Sequence, residues 1–269
     1  MVSCLFNLRH GMNAVIWPFD QMPCTRHTFT DEQWERIDPL LPPCKGRPGG
    51  AQRKFFDALL WMANTGSAWR DLPERLGKWN VVYQRYAYWC DKGHFERLFQ
   101  GLQLPDMEEV MMDSTCCKAH QASAGARKTS GPQAIGITRG GLNTKIHALC
   151  DALGNPLRFL LTPGQRHDSK AAPELLEGVM AKALLADKAY DSDKIIQLAQ
   201  GKGMQVIIPS KSNRKIQRPL DKERYKARHL VENLFQRMKV FRRVATRFDK
   251  LDVRYLGFVH IAGTMKWLH

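Results

Sequence analysis

The stretch YKARHLVENLFQRMK, residues 225–239, constrains this chain more than any other. Tyr225, Arg228, Glu232 and Lys239 follow one another at offsets of three, seven and fourteen residues. A helix turns roughly 100° per residue, so the four side chains share a face about 60° wide. A carboxylate set between cations on such a face suits a metal-dependent site that grips a phosphate backbone. The same residues also suit a solvated basic face with an i,i+4 ion pair between Arg228 and Glu232. On these four alone both readings stand.

Charge gives the stretch its context. The chain has 269 residues, enough for one large domain or a medium one plus a small one, and a formal net charge of +15. Residues 209–250 hold fourteen Lys and Arg against four Asp and Glu, a surplus of ten. A basic block beside a folded core points to nucleic acid or an anionic membrane surface. No apolar run approaches the ~20 residues that a spanning helix needs, which argues against the membrane. The seven cysteines form no CxxC pair, and their odd number favours free thiols in a reducing cytosol over disulfides or structural zinc. Residues 1–27 carry no targeting pattern and read as a poorly ordered leader, of the kind that an upstream start codon adds.

Residues 28–103 read as a small all-helical unit. Thr30 with Gln33 makes a capping box, Phe29 can staple onto Trp34, and the helix should run to Pro42-Pro43. Residues 44–52 form a Gly/Pro/basic connector. Phe55, Phe56, Leu59, Leu60 and Met62 give the next helix an apolar face, ending near Gly66. A short element over 72–76, the turn Gly77-Lys78-Trp79 and a longer helix over 80–91 then read as a helix-turn-helix. On its last helix Gln84, Arg85 and Tyr88 are the candidates for DNA contact. The rival is an ordinary helical bundle with a solvated polar face.

Residues 104–269 change to an α/β pattern. Strands are expected over 109–116, 142–151, 156–163, 183–186 and 204–208, with helices over 169–182 and 191–202 before the long basic one. Three strands, helix, strand, helix, strand, helix fits a mixed sheet with helices packed on it.

Two further acids stand where such a sheet would gather chemistry. Asp113 follows Val110-Met111-Met112 inside the first strand, and Asp187 follows Leu184-Leu185-Ala186 at a strand's carboxyl end. With Glu232 they make three carboxylates, which suit two divalent cations roughly 4 Å apart in an in-line phosphoryl displacement. Mg²⁺ prefers oxygen ligands and keeps several waters, so no His or Cys is needed. Taken singly, Asp113 reads more simply as an acceptor of backbone hydrogen bonds. Asp191 and Asp193 read as helix-start residues, Asp168 as a cap with Ser169, and His120 and His147 as core or surface histidines. Lys118 and Arg139 could touch phosphate.

Three separate strings tip the balance: DST with KAHQASAGARK, then LLADKAYDSD, then YKARHLVENLFQRMKVFRRVATRFDKL. Together they closely resemble the bacterial insertion-sequence transposases with a DDE catalytic triad, and the last carries the Tyr-two-Arg-three-Glu-six-Lys spacing without departure. RGGLNTKIHALCDALGNPL, TPGQRHDS, FTDEQWERIDPLLP and NTGSAWRDLPERLGKW extend the resemblance over Phe29 to Leu268. ITRGG departs from the family's usual polar residue before Arg-Gly-Gly, and the leader departs altogether.

The resemblance implies a ribonuclease H-like mixed sheet flanked by helices, preceded by the helix-turn-helix-like domain. It places Asp113 on the central strand, Asp187 after the fourth and Glu232 on the following helix. Forty-five positions separate Asp187 from Glu232, too few for the large β-domain that some relatives insert there. It further implies that Asp113, Asp187 and Glu232 hold two Mg²⁺ (or Mn²⁺) ions, that Arg228 and Lys239 hold transposon-end phosphates and that Tyr225 packs on a sugar-phosphate. The partners would be double-stranded DNA, both terminal inverted repeats and target, and a second copy in a synaptic dimer in the nucleoid-bearing cytoplasm. A ribonuclease H-like nuclease that cuts without joining, and a DNA-binding repressor with an idle triad, remain the rivals.

Overall fold

The computed structural model describes residues 27–43, 50–127, 131 and 133–269. The leader reading and most of the 44–52 connector lie outside them. Thr30 caps α1 (Asp31–Ile37) reciprocally: the Gln33 N–H donates to Thr30 Oγ1 at 3.2 Å, and the Thr30 N–H to Gln33 Oε1 at 3.1 Å. Phe29 and Trp34 both pack edge-on against Phe56. Helix α1 stops short of Pro42-Pro43, giving way to a 3₁₀ turn over Asp38–Leu40 that opens on Pro39. Helix α2 (Gly50–Thr65) buries the expected Phe55, Phe56, Leu59, Leu60 and Met62 and ends at Gly66, whose φ of 66° is the left-handed stop that glycine supplies.

The short helix expected over 72–76 is instead a pair of 3₁₀ turns, Trp69–Asp71 and Glu74–Leu76. Pro73 separates them and holds Leu72 extended, so no α-helix can cross. Helix α3 (Trp79–Asp91) follows, and the left-handed Gly93 turns the chain straight into α4 (His94–Gly101). The expected trio therefore lacks an α-helical middle member.

The sheet is built around β1 (Glu109–Ala119). Strand β3 (Gly141–Cys150) lies antiparallel to it, and β2 (Gly136–Thr138) and β4 (Pro156–Pro163) share β3's other edge. On the opposite side β5 (Ala183–Ala186) runs parallel to β1, and β6 (Gln205–Ile207) parallel to β5. All four residues of β5 are buried, as a parallel strand covered on both faces requires.

The helix expected over 169–182 shrinks to a 3₁₀ turn at Asp168–Lys170 and the single turn α5 (Ala172–Leu175). From β4, Arg158 Nη1 donates to the carbonyls of Glu174 (2.8 Å), Leu175 (3.1 Å) and Glu177 (2.8 Å). These acceptors are thereby satisfied without a continuing helix. Helix α6 (Asp193–Gly201) begins two residues later than expected, because Asp191 is buried elsewhere. The long basic helix arrives in pieces: α7 (Lys222–Tyr225), a 3₁₀ turn over Lys226–Arg228, and α8 (His229–Lys239). No domain is inserted between Asp187 and Glu232.

After α9 (Arg242–Ala245) and β7 (Thr246–Arg247), which pairs with the far end of β1, the chain closes with α10 (Asp252–Leu268). Helix α10 is buried on almost every side, between the N-terminal helices and the sheet. Two glycines let it through. A Cβ on Gly257 would stand 2.7 Å from Cys90 Sγ, and one on Gly263 2.7 Å from the Phe159 ring. Arg254 pairs with Asp91 at 2.7 and 2.8 Å, tying α10 to α3. The change of pattern at residue 104 is thus no gap in packing: one core spans both parts.

Candidate active site

Alternation along β1 decides which way the first acid faces. Val110 and Met112 join the core beneath α5 and α6, whereas Met111 joins the one beneath α8 and α10. Asp113 shares Met111's face and so meets α8. Helix α8 buries Val231, Leu234, Phe235 and Met238, a spacing of three and four that leaves Glu232 beside the strand. Met112 pairs in register with Ala186, so Asp113, within β1, and Asp187, just past the end of β5, stand at the same level on adjacent parallel strands.

The geometry then closes through Arg228. Its Nη1 donates to Asp113 Oδ2 at 2.9 Å, while Nη2 donates to Glu232 Oε1. Asp113 Oδ1 accepts the Ser114 N–H at 2.7 Å, and Asp187 Oδ1 accepts the Ala189 N–H at 2.8 Å. Burial pushes the Asp113 carboxyl up; the Ser114 N–H and Arg228 pull it down, and the charges of Asp187 and Glu232 raise it again. Each of the other two acids is thus near enough to be felt at Asp113. On Arg228 burial acts downward, but Asp113, Tyr225 and Glu232 outweigh it and hold the guanidinium above its ordinary range. Both readings of the opening stretch are realised: the i,i+4 ion pair exists, and it sits inside the acid cluster.

The remaining side chains of that face also converge. Lys239 Nζ donates to Thr115 Oγ1 at 2.6 Å and to the Cys116 carbonyl at 3.3 Å, and Arg228 lies over the Tyr225 ring at 5.9 Å. Among the described residues no three His, Cys, Asp or Glu side chains stand close enough to hold an ion as they are. Arg228 fills the space between Asp113 and Glu232 instead.

A second layer behind Asp113 was not foreseen. Asp168 does not cap with Ser169; His167 Nδ1 accepts the Ser169 N–H at 3.3 Å. Asp168 Oδ1 instead accepts from Ser114 Oγ (2.8 Å) and Lys145 Nζ (2.7 Å), on the opposite face of β1 from Asp113. Burial would raise its carboxyl, but those two bonds outweigh it and the net shift is downward. Tyr190, three residues after Asp187, is buried on this side. His147 is a core histidine, its Nε2 2.8 Å from Thr162 Oγ1. The sequence signal for Asp168 was the string TPGQRHDS; Ser114, Lys145 and Tyr190 lie in the other strings that carry the resemblance.

Asp191 also departs from its expected role. Its side chain starts no helix; the buried carboxylate takes the Lys211 N–H at 2.7 Å, Arg214 Nε at 2.7 Å and Arg218 Nη2 at 2.7 Å. Much of the basic surplus of 209–250 is engaged internally in this way. Arg224 pairs with Glu109, Arg243 with Asp249, and Arg247, fully buried, donates to Thr144 Oγ1 and the Asp249 and Lys250 carbonyls.

The N-terminal candidates lie elsewhere. Gln84 and Tyr88 are exposed on α3, which packs on α4, α10 and the 69–71 turn and not on the acid-bearing elements. Arg85 lies over Phe55 at 4.3 Å and Trp89 at 5.4 Å, so its guanidinium is part of the helical packing. Among the described residues no helix is long and apolar enough to cross a membrane.

Comparison with known proteins covers nearly the whole described chain. Residues 29–99 match the family described as "Putative transposase of IS4/5 family", and residues 104–264 match "Transposase DDE domain". An uncharacterised Sinorhizobium fredii protein, y4sN, is 47% identical over 105 residues, 38% of this chain and 84% of its own. A Brucella ovis protein described as "Putative transposase for insertion sequence element IS6501" is 37% identical over 129 residues, 47% of this chain and 99% of its own. Among solved structures, a piggyBac transposase synaptic complex with hairpin DNA aligns with a TM-score of 0.55 at 12% identity, covering 91% of this chain and 73% of its own. That likeness is one of fold: a ribonuclease H-like mixed sheet flanked by helices.

Proposed function

The chain belongs to the insertion-sequence DDE transposases, enzymes that cleave and transfer DNA strands, and we propose that Asp113, Asp187 and Glu232 are its catalytic triad. The observation that carries this reading is the Arg228 bridge, a single cation joining Asp113 on β1 to Glu232 on α8, with Asp187 beside Asp113 on the adjoining strand.

The family works with divalent metal ions, and these residues suit one. All the available donors are carboxylate oxygens, the choice of a hard cation such as Mg²⁺ or Mn²⁺. The space between two of them already holds positive charge. Asp113, Asp187 and Glu232 would hold the metal, as a pair of ions. Bound there, the pair would activate the attacking hydroxyl and stabilise the leaving oxygen.

The protein's own part is positioning and charge. Arg228 must release the acids when metal enters, and a DNA phosphate is the partner that its freed fork fits. Lys239 supplies a second cation along the same face and Tyr225 a ring to pack on the sugar-phosphate. Asp113 must be ionised to bind metal, and its raised carboxyl sets the acidic limit of activity. The helical part, with Gln84 and Tyr88 outward on α3, would recognise the terminal inverted repeats, Arg85 supporting it through Phe55. Two copies would pair two transposon ends in a synaptic dimer working on chromosomal DNA in the cytoplasm.

The experiment is direct. Protein, Mg²⁺, a pre-cleaved transposon end and a target plasmid should give joined product, lost in Glu232→Gln and Asp187→Ala while end binding persists. Cutting without joining would make the protein a nuclease. Binding with no Mg²⁺-dependent chemistry would make it a repressor.

A further inference from the structure

Beside Asp187 a cleft of about 530 Å³ opens, lined by Lys188, Ala189, Ser210, Lys211, Ser212 and Asn213 together with Asp187 itself. Its outer wall is the loop after β6, and one buried carboxylate holds that loop in place. Asp191, with no exposed side-chain surface, takes Lys211 N–H, Arg214 and Arg218 at once. Gln217 Nε2 then ties the Lys211 and Arg214 carbonyls at 3.1 Å each, and the Arg218 N–H donates to Ser210 Oγ at 3.0 Å. Burial acts upward on the Asp191 carboxyl, but the bonds from Arg214, Lys211 and Arg218 outweigh it and hold it at about 2, so the clasp stays charged at working pH.

The clasp also sorts the cations. Arg214 and Arg218 are committed to Asp191, and Arg214 to Asp193 as well, whereas among the described residues the Lys188 and Lys211 ammonium groups enter no ion pair. Beyond the Asp187 carboxylate at its edge, the lining offers ammonium, hydroxyl and amide groups and no aromatic ring on which a base could stack. Its chemistry is that of a sugar-phosphate contact, and its size is that of small-ligand clefts.

We propose that this cleft binds the phosphodiester backbone of the strand that carries the reacting end, with Lys188 and Lys211 as the anion contacts and Asp191 as the residue that positions Lys211 and its loop. The proposal rests on the reading of Asp113, Asp187 and Glu232 as catalytic. On this reading Lys188 and the loop after β6 hold the strand beside Asp187, while Arg228 and Lys239 reach the acid site from the basic helix.

The test is a salt titration of binding, without divalent metal, to a duplex carrying the element's own terminal repeat. Each lysine–phosphate contact contributes about 0.9 to the slope of log K against log salt, so Lys188→Gln with Lys211→Gln should flatten it by about two. Affinity at physiological salt should fall roughly tenfold, and the Lys188→Arg, Lys211→Arg pair should restore both. Trimming two nucleotides from the reacting end should weaken wild-type binding and erase its advantage over the Gln pair. An unchanged slope in a folded Gln pair, with wild type that cleaves DNA, overturns the cleft alone. Wild type that never cleaves overturns the triad and the cleft with it.

Discussion

Arg228 Nη1 lies 2.9 Å from Asp113 Oδ2, so the basic helix reaches the central strand through an ion pair and not merely through apolar packing. The same guanidinium holds Glu232. In this arrangement Arg228 gathers and neutralises two of the acids, and on the proposed reading metal would have to displace it. On that reading the bridge would couple the two binding events: anionic DNA that draws Arg228 away would make the site easier for metal to enter.

Removing Arg228 should therefore separate metal affinity from catalysis. With Arg228→Ala, Mn²⁺ binding measured by titration calorimetry without DNA should tighten several-fold, while end binding weakens. Looser Mn²⁺ binding would show that the bridge organises the acids more than it competes for them.

The pH profile should move as well. Arg228 pulls the Asp113 carboxyl down against burial, so its loss leaves that carboxyl higher still. The acid limb of Mg²⁺-dependent cleavage should then shift to higher pH in Arg228→Ala and less in Arg228→Lys. An acid limb at the wild-type position in both would remove Asp113 as the titrating group.

Stability should fall at acid pH through two buried histidines. Burial lowers His147 from 6.5 to about 4 and His260 to about 3. Their neutral forms belong to the fold, so their contribution is complete above about 6.5 and is lost as pH drops toward 4 and below. For His147 the shift corresponds to on the order of 3 kcal/mol. Urea unfolding at pH 7 and pH 5 should show the loss, and His260→Leu, which removes one titrating group, should lessen it.

Helix α10 should be intolerant of small additions. Gly257→Ala and Gly263→Ala would each press a methyl against a neighbour that stands 2.7 Å from the new atom, Cys90 Sγ or the Phe159 ring. Overpacking of this kind costs roughly 1–3 kcal/mol. Thermal melts should fall by several degrees, and unchanged melting would mean that α10 can shift.

Arg158 offers a local test. Its three carbonyl contacts stand in for the missing helix over residues 174–177. Arg158→Met should speed hydrogen exchange over residues 174–179 while β1 stays protected.

Strands β4 and β5 were legible at residue resolution, because the Gly154-Asn155 turn that precedes the one and the apolar run ALLA of the other are local signals. So was the α1 capping box. The helix expected over 169–182 was not, because a side chain from β4 satisfies its carbonyls, and no local pattern shows that. Asp168 and Asp191 each precede a helical turn and looked like caps. Their real partners, Lys145 and Arg214 with Arg218, lie 23 to 27 residues away in the chain.

By itself the sequence determined the family, the alternation of strands and helices, and the three acids at their positions, since these are matters of spacing and residue type. Only the tertiary structure decided that Arg228 stands between two of those acids, that Asp191 clasps a basic loop beside the third, and that α10 joins both parts in one core. The reason is that charge pairing and close packing depend on distances between residues far apart in the chain, and a linear pattern does not carry them.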